Sequence, residues 1–342
     1  MDKQRFLGIT VFGQIAILVG LLFLVSQWWL WINISSVLGR VVLGVLGVST
    51  LAGFALITAS RNVVTRVVVQ TGFVWSVAQF IASAYYGVAY LVSAWFVIPD
   101  LAVWGAVALT CLYGWLRARH ALTRYEVVKA GVDRKYRIVQ ISDVHLGDIW
   151  GECDLQRIVR RVKGYDPDVV VITGDIVDGM ETVSDAVFEP LRSLEVPTYF
   201  VSGNHDGYTD RSVVLDQLEA VGVTVLDNAR VEHGDMTIIG VGYEDRDVDI
   251  VGDDEMVSVV LQHEPVYEDG VLRGDIVLAG HLHDGQVWPL GWLARLEFPV
   301  VAGRHDVDGT TVIVSRGTRT WGPPFRLGTN SELVVIDVVP DT

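Results

Sequence analysis

Residues 137–147 read RIVQISDVHLG: an apolar run, Arg137–Ile141, followed by a serine and then by Asp143 and His145 two positions apart. On extended backbone, residues two apart project to the same side, so a carboxylate and an imidazole leave the end of this strand together. The pattern recurs downstream. Val169–Thr173 runs into Gly174-Asp175, and Thr198–Val201 runs into Gly203-Asn204-His205-Asp206. Val257–Leu261 runs into Gln262-His263, and Ile276–Leu278 into Gly280-His281-Leu282-His283. Five of the chain's eight histidines fall in these five motifs. Histidines serving only local packing would be scattered, so the concentration at strand ends points to one shared site.

The donors are carboxylate, imidazole and amide oxygen, with no thiolate. That mixture suits divalent cations of the Mn²⁺, Fe or Zn²⁺ kind better than Ca²⁺ or a structural zinc. Cys111 and Cys153 are the only cysteines, with no Cys-x-x-Cys spacing. Glycines at 174, 203 and 280 let the backbone bend tightly at strand ends and approach the donors closely.

Around the motifs, short β-branched runs alternate with amphipathic stretches. Further strands are predicted at Thr237–Val241, Thr311–Ser315 and Leu333–Val339, and helices at Asp154–Lys163, Thr182–Leu194 and Asp210–Val221. The sum is an α/β domain built as a two-sheet sandwich with helices outside, its polar residues at the carboxyl ends of strands.

The rest of the chain differs. Of 342 residues with net charge −15 and mean hydropathy +0.39, the first third carries the apolar excess. Most acidic residues follow residue 130. Of four apolar runs, Phe6–Ile32, Val41–Ala59, Gly72–Ile98 and Leu101–Leu116, the first three meet the requirement of roughly 20 residues, with about 17 as the lower limit, for a membrane-spanning helix, and the fourth is short unless it extends to Ala118. They predict a transmembrane bundle of about four α-helices over residues 1–118, a linker at 119–136, and the catalytic domain at 137–342. Lys3, Arg5, Arg61, Arg66, Arg117, Arg119 and Arg124 flank alternate runs. By the positive-inside rule this predicts a multi-pass protein of the cell membrane with its catalytic domain cytoplasmic. The acidic balance argues against a nucleic-acid partner.

The five motifs in order, from Arg137 to the C-terminus, resemble the calcineurin-like metallophosphoesterase family. The apolar leader and the tail from Ser315-Arg316-Gly317 to Trp321-Gly322-Pro323-Pro324-Phe325-Arg326-Leu327 are similar to its membrane-associated bacterial and archaeal phosphodiesterase branch. The resemblance implies that Asp143, His145 and His283 bind one metal and that Asn204, His263 and His281 bind a second. Asp175 would bridge the two, and His205 would act beside them, oriented by Asp206. Asp284 stands where relatives often have glycine, and Gly328-Thr329-Asn330-Ser331-Glu332 lacks the prolines common in that branch.

The expected function is metal-dependent hydrolysis of a phosphoester or pyrophosphate on a lipid-linked or membrane-proximal substrate. Alternatives are a general phosphodiesterase for small diesters or cyclic nucleotides, and a catalytically inactive membrane scaffold or sensor. Arg304, Arg316, Arg319 and Arg326 are candidates for gripping phosphate through bidentate pairs. Asp148 and Asp178 are candidates for supporting metal ligands from behind.

Overall fold

Alternate residues of the apolar runs face opposite ways, and both faces are covered. In the computed structural model, residues 63–92, 100–119, 121–129, 131–147, 149–179, 183–244, 256–265, 274–296 and 298–341 are described, with four isolated positions between 40 and 48. The chain divides into two compact units, Met1–Tyr113 and Gly114–Thr342.

In the first unit, α1 (Val63–Val92) meets α2 (Asp100–Arg117) through Ala82, Tyr86, Val103 and Val107. The Tyr85 and Thr110 hydroxyls lie 2.7 Å apart. Among the described residues no helix is long and apolar enough to cross a membrane. The apolar sequence of α1 is broken by Arg66, Gln70, Ser76, Gln79 and Ser83, although the helix itself is continuous, and α2 begins at Asp100 and ends at Arg117. These polar positions overturn the predicted transmembrane bundle, and with it the multi-pass, cell-membrane localisation and the cytoplasmic placement. The runs Phe6–Ile32 and Val41–Ala59 lie outside the described residues apart from isolated positions.

The second unit holds two six-stranded mixed sheets. The first has the order β1-β12-β2-β3-β4-β5, from Ala121–Lys129, Glu332–Pro340, Tyr136–Ile141, Val169–Thr173, Thr198–Val201 and Thr224–Val225. The second has the order β10-β11-β9-β8-β7-β6, from Gly303–Val307, Thr310–Val314, Ile276–Ala279, Val257–Leu261, Met236–Gly240 and Ala229–His233. Ile138, Val169, Val171, Tyr199 and Val201 turn inward to meet Val257, Val259, Leu261, Ile276 and Leu278 between the sheets. Their neighbours Val139, Val170, Ile172 and Phe200 turn outward. They are covered by α3 (Glu152–Lys163), a 3₁₀ segment Asp185–Ser193, and α4 (Arg211–Ala220). A strand buried on both faces reads as a continuous apolar run, which is why these were visible in the sequence.

Helix α3 buries Leu155, Ile158, Val159 and Val162, the i, i+3, i+4, i+7 stripe of an amphipathic helix. Glu152 and Asp154 in its first turn and Arg160, Arg161 and Lys163 in its last complement the helix dipole. The helix expected at Thr182–Leu194 is instead the 3₁₀ segment. Pro190 lies inside it and cannot donate the hydrogen bond an α-helix requires. Residues 121–129, read as linker, form β1, paired in parallel with β12 from Ala121↔Glu332 to Lys129↔Pro340.

Candidate metal centre

Strands β2, β3 and β4 run parallel in the first sheet, and β8, β9 and β11 run parallel in the second. Their carboxyl ends therefore open to one side, and the loops that follow carry the predicted donors. Asp143 and His145 follow β2, Asp175 follows β3, and Asn204, His205 and Asp206 follow β4. His263 follows β8, and His281 and His283 follow β9.

The backbone is bent hard to aim them. Asp143, His145, Asp175, His281 and His283 all adopt positive φ, between 50° and 72°, a region uncommon for residues with a Cβ and concentrated at functional sites. Close approach fixes one glycine in particular. A Cβ on Gly203 would fall on the Asp175 carboxylate and 2.6 Å from the Asp175 amide nitrogen.

Among the described residues three donor groups result, Asp143–His145–His283, Asp175–His263–His281 and, overlapping both, His145–Asp175–His205. In the first, His145 Nε2 and His283 Nε2 are 3.1 Å apart, and His283 Nε2 is 3.4 Å from Asp143 Oδ1. In the second, His263 Nε2 lies 3.2 Å from Asp175 Oδ2, 3.1 Å from His281 Nδ1 and 3.2 Å from Asn204 Oδ1. Asp175 Oδ2 is also 3.9 Å from His145 Nε2, so one oxygen faces both clusters. Donors about 2.1 Å from a single cation, at octahedral or tetrahedral angles, lie roughly 3.0–3.4 Å from one another. The observed spacings meet that test, and the residues fit two divalent cations.

Hydrogen bonds at the back of each donor set which atom faces the cleft. His263 Nδ1 donates to Thr173 O at 2.9 Å, leaving its Nε2 lone pair directed inward. His281 turns Nδ1 inward and Nε2 toward Glu264 Oε1, 3.5 Å away. Asp143 accepts from the Ser142 hydroxyl and from the His281 amide. Asp175 Oδ1 accepts from the His205 amide at 2.9 Å, which reserves Oδ2 for the cleft.

Burial and neighbouring charge shift several of these groups. Burial pushes Asp143 up to about 6, with the Asp175 charge adding to the effect. It pulls His145 down to about 3, and it lowers His283 well below the usual range with help from Arg326. Burial would also lower His263, yet the Asp175 carboxylate raises it to about 10. The reciprocal pull holds Asp175 well below the usual carboxylate range in spite of its burial. Crowded acids and imidazoles share protons in this way when no cation neutralises them.

His205 stands at the edge of this group, its ring 4.8 Å from that of His145. Its Nδ1 donates to the carbonyl of Asp178 at 2.7 Å. The orienting task expected of Asp206 thus belongs to Asp178. The fully buried Asp206 carboxylate instead accepts main-chain N–H groups from Asp175 at 2.8 Å, Gly203 at 2.7 Å and Val177 at 3.2 Å, pinning the β3 and β4 loops together.

The four arginines expected to grip phosphate are all engaged by the protein. Arg304 donates to Glu126 O, and Arg316 pairs with Glu332 and Asp284. Arg319 pairs with Asp154 and lies over the Trp150 ring. Arg326 is fully buried and donates to Ser331 Oγ, His283 O and His283 Nδ1. Asp148 lies outside the described residues. Sequence reasoning passed over Glu264 and Ser142, whose signal was adjacency to His263 and Asp143.

The sequence also finds relatives. A transmembrane protein with metallophosphoesterase domain from Bos taurus is 34% identical over 231 residues, 58% of this chain and 51% of that protein. An uncharacterized metallophosphoesterase from Aquifex aeolicus is 30% identical over 232 residues, 62% of this chain and 88% of that protein. The chain spans about half the length of the animal relatives it matches. A dimetal phosphatase of known structure from Danio rerio is 15% identical and covers 54% of this chain and 88% of its own, with a TM-score of 0.36, too slight a likeness to bear on function. The calcineurin-like phosphoesterase profile matches residues 136–285, the stretch that carries every donor in both clusters. With that match, and with most of the Aquifex protein covered, the chain belongs to the calcineurin-like phosphoesterase family of metal-dependent phosphoesterases.

Proposed function

We propose that the chain hydrolyses a phosphoester or pyrophosphate bond in a cleft where Asp143, His145 and His283 hold one divalent cation. Asn204, His263 and His281 hold a second, and Asp175 is shared. The observation that carries this reading is the pair of clusters meeting at Asp175 Oδ2, with donor spacings that suit coordination. Two cations bound there would supply Lewis acidity toward the phosphate oxygens and a water ionised near neutral pH.

The chain's own groups do the rest. Asp175 fixes the separation of the two clusters, because its other oxygen is held by the His205 amide. His205 is placed to act on the leaving oxygen: with Nδ1 tied to the Asp178 carbonyl, Nε2 is the nitrogen left for the substrate. Water oxygen would bond to phosphorus as its proton passes to solvent, the ester P–O bond would break, and the departing oxygen would take the proton that a protonated His205 carries on Nε2, which solvent then restores. A complete donor set weighs against an inactive scaffold. The catalytic domain is proposed to begin before residue 137, because β1 belongs to its first sheet.

The test uses the full chain, bis-p-nitrophenyl phosphate and added Mn²⁺, with His205→Ala beside it. Turnover should need the metal, and the loss in the variant, roughly 10²–10⁴-fold for an alkyl leaving group that needs the proton, should be smaller for p-nitrophenolate, which leaves without one. Wild-type protein that binds no divalent cation would overturn the reading.

A further inference from the structure

Beside the cleft lies a wall of large apolar side chains facing water: Trp288, Leu290, Trp292, Leu293, Leu296 and Trp321, each between 41% and 84% exposed. Most belong to α5 (Leu290–Ala294) and its flanks. A soluble domain scatters single exposed apolar residues, but six bulky ones on one short segment and its neighbour form a patch of the kind that marks a binding surface. No polar requirement of the fold explains them.

What covers the wall follows from its attachment. It begins five residues after His283, at Trp288, and Gln286 ties that segment to Trp321 through two hydrogen bonds. The Gln286 amide donates to Trp321 O at 2.9 Å, and its carbonyl accepts from Trp321 N at 3.0 Å. The Trp321 ring stands 6.0 Å from His205, the group assigned to the leaving oxygen. Trp288 is held from behind by Leu327 O at 2.8 Å and meets Trp292 edge-on at 5.7 Å. Trp321 thus stands beside the reacting centre, and Gln286 ties it to the segment that carries Trp288, Trp292, Leu293 and Leu296. A molecule whose phosphorus sits between the clusters extends its remaining part along this wall. The arginines expected to read polar substituents are occupied by Glu126, Glu332, Asp284, Asp154 and Ser331. Recognition at this mouth is apolar.

We infer that this wall receives a hydrocarbon chain carried by the phosphoester itself, so that the substrate is an amphiphile with an alkyl, acyl or prenyl tail. The inference rests on the phosphoesterase reading above. It owes nothing to a membrane anchor. Indole rings would also stack on a nucleobase, but Leu290, Leu293 and Leu296 offer no stacking face, and the net charge of −15 disfavours polyanionic ligands.

The experiment compares octyl p-nitrophenyl phosphate, kept below its micelle concentration, with ethyl p-nitrophenyl phosphate. The two share a leaving group and differ only in chain length. The full chain with Mn²⁺ should show kcat/KM at least about tenfold higher for the octyl ester, in line with burial of a few methylenes. The double variant Leu293→Ser, Leu296→Ser should abolish that preference through KM while turning over bis-p-nitrophenyl phosphate as the wild type does. Because both leucines are exposed, the fold should survive, and circular dichroism checks it. Single Leu296→Lys should give the same loss in smaller measure. Equal kcat/KM for the two esters, or a preference that persists in both variants, would overturn the wall assignment alone. If bis-p-nitrophenyl phosphate also proved inert, the phosphoesterase reading would fall and take the inference with it.

Discussion

Gly203→Ala changes one hydrogen to a methyl group and should disable the site. The Gly203 φ lies outside the left-handed region, so alanine meets no backbone penalty there, and the effect is one of space alone. The new Cβ would overlap the Asp175 carboxylate and sit 2.6 Å from its amide nitrogen. Ordinary contact needs roughly 3.4 Å, so one loop must retreat by about 0.8 Å. Neither moves freely, because Asp206 fastens the amides of Asp175 and Gly203 to one carboxylate oxygen. Overpacking of this kind costs about 1–3 kcal/mol. The larger effect is on geometry: a displacement near 1 Å at a reacting centre lowers rates by about 10²-fold, and Asp175 is the residue both clusters share. Urea unfolding, bound metal per chain and turnover of bis-p-nitrophenyl phosphate measure the three consequences. Gly222→Ala is the control. Its φ is +90° and nothing lies within 4 Å, so it should lose about 1 kcal/mol from backbone strain and keep full activity. A Gly203→Ala protein with two metals per chain and wild-type turnover would refute the reasoning.

Asp178→Ala should weaken divalent-cation binding by roughly 10–100-fold in a competition titration. His145 Nδ1 is buried without a hydrogen-bond partner and lies 3.9 Å from Asp178 Oδ1, the nearest carboxylate to support that ligand; unchanged affinity would remove Asp178 from the site. Asp337→Asn tests pH linkage far from the cleft. Burial would raise the Asp337 carboxyl, but hydrogen bonds from Arg137 and Lys135, each at 2.8 Å, hold it below its usual range. A depressed folded value means stability that is present above the unfolded pKa of about 3.9 and lost as pH falls through the folded one. With two of its three cationic neighbours half exposed, the substitution should cost about 1 kcal/mol at pH 7, shrinking toward zero near pH 2. A difference independent of pH in urea titrations would contradict this.

The strands that escaped sequence reading have a common position. β1, β5, β6 and β10 are the four edges of the two sheets. An interior strand is covered on both faces and writes an unbroken apolar run, as in Val169–Thr173 and Val257–Leu261. An edge strand keeps charges toward water, as in Arg230 and Glu232 of β6 or Arg304 and Asp306 of β10, and such a pattern reads as loop. The donors were legible for a related reason, since each closes an interior strand. Their supports were not. The carbonyl of Asp178 and the amides on Asp206 are main-chain groups, which every residue has and no composition reveals. Arg326 shows the converse failure: its charge suggested a surface contact with phosphate, and only the fold shows it sealed behind His283.

Each donor cluster draws on both sheets. Asp143 and His145 come from the first and His283 from the second, and Asp175 and Asn204 from the first face His263 and His281 from the second. The core between the sheets is mostly apolar, with Gln140 Nε2 donating across it to Ala279 O at 2.9 Å, and the seven donors add a further constraint on the relative register at this end. In that register burial pushes Asp143 up and His145 down in titration, and the fold must hold these groups away from water. Cations bound at the clusters would add attraction between the sheets. Ligand binding to the folded state alone raises stability as the logarithm of one plus the ratio of free ligand to its dissociation constant. The expectation is therefore a coupled loss, in which stripping the metal loosens the sheet-to-sheet packing as well as removing the chemistry.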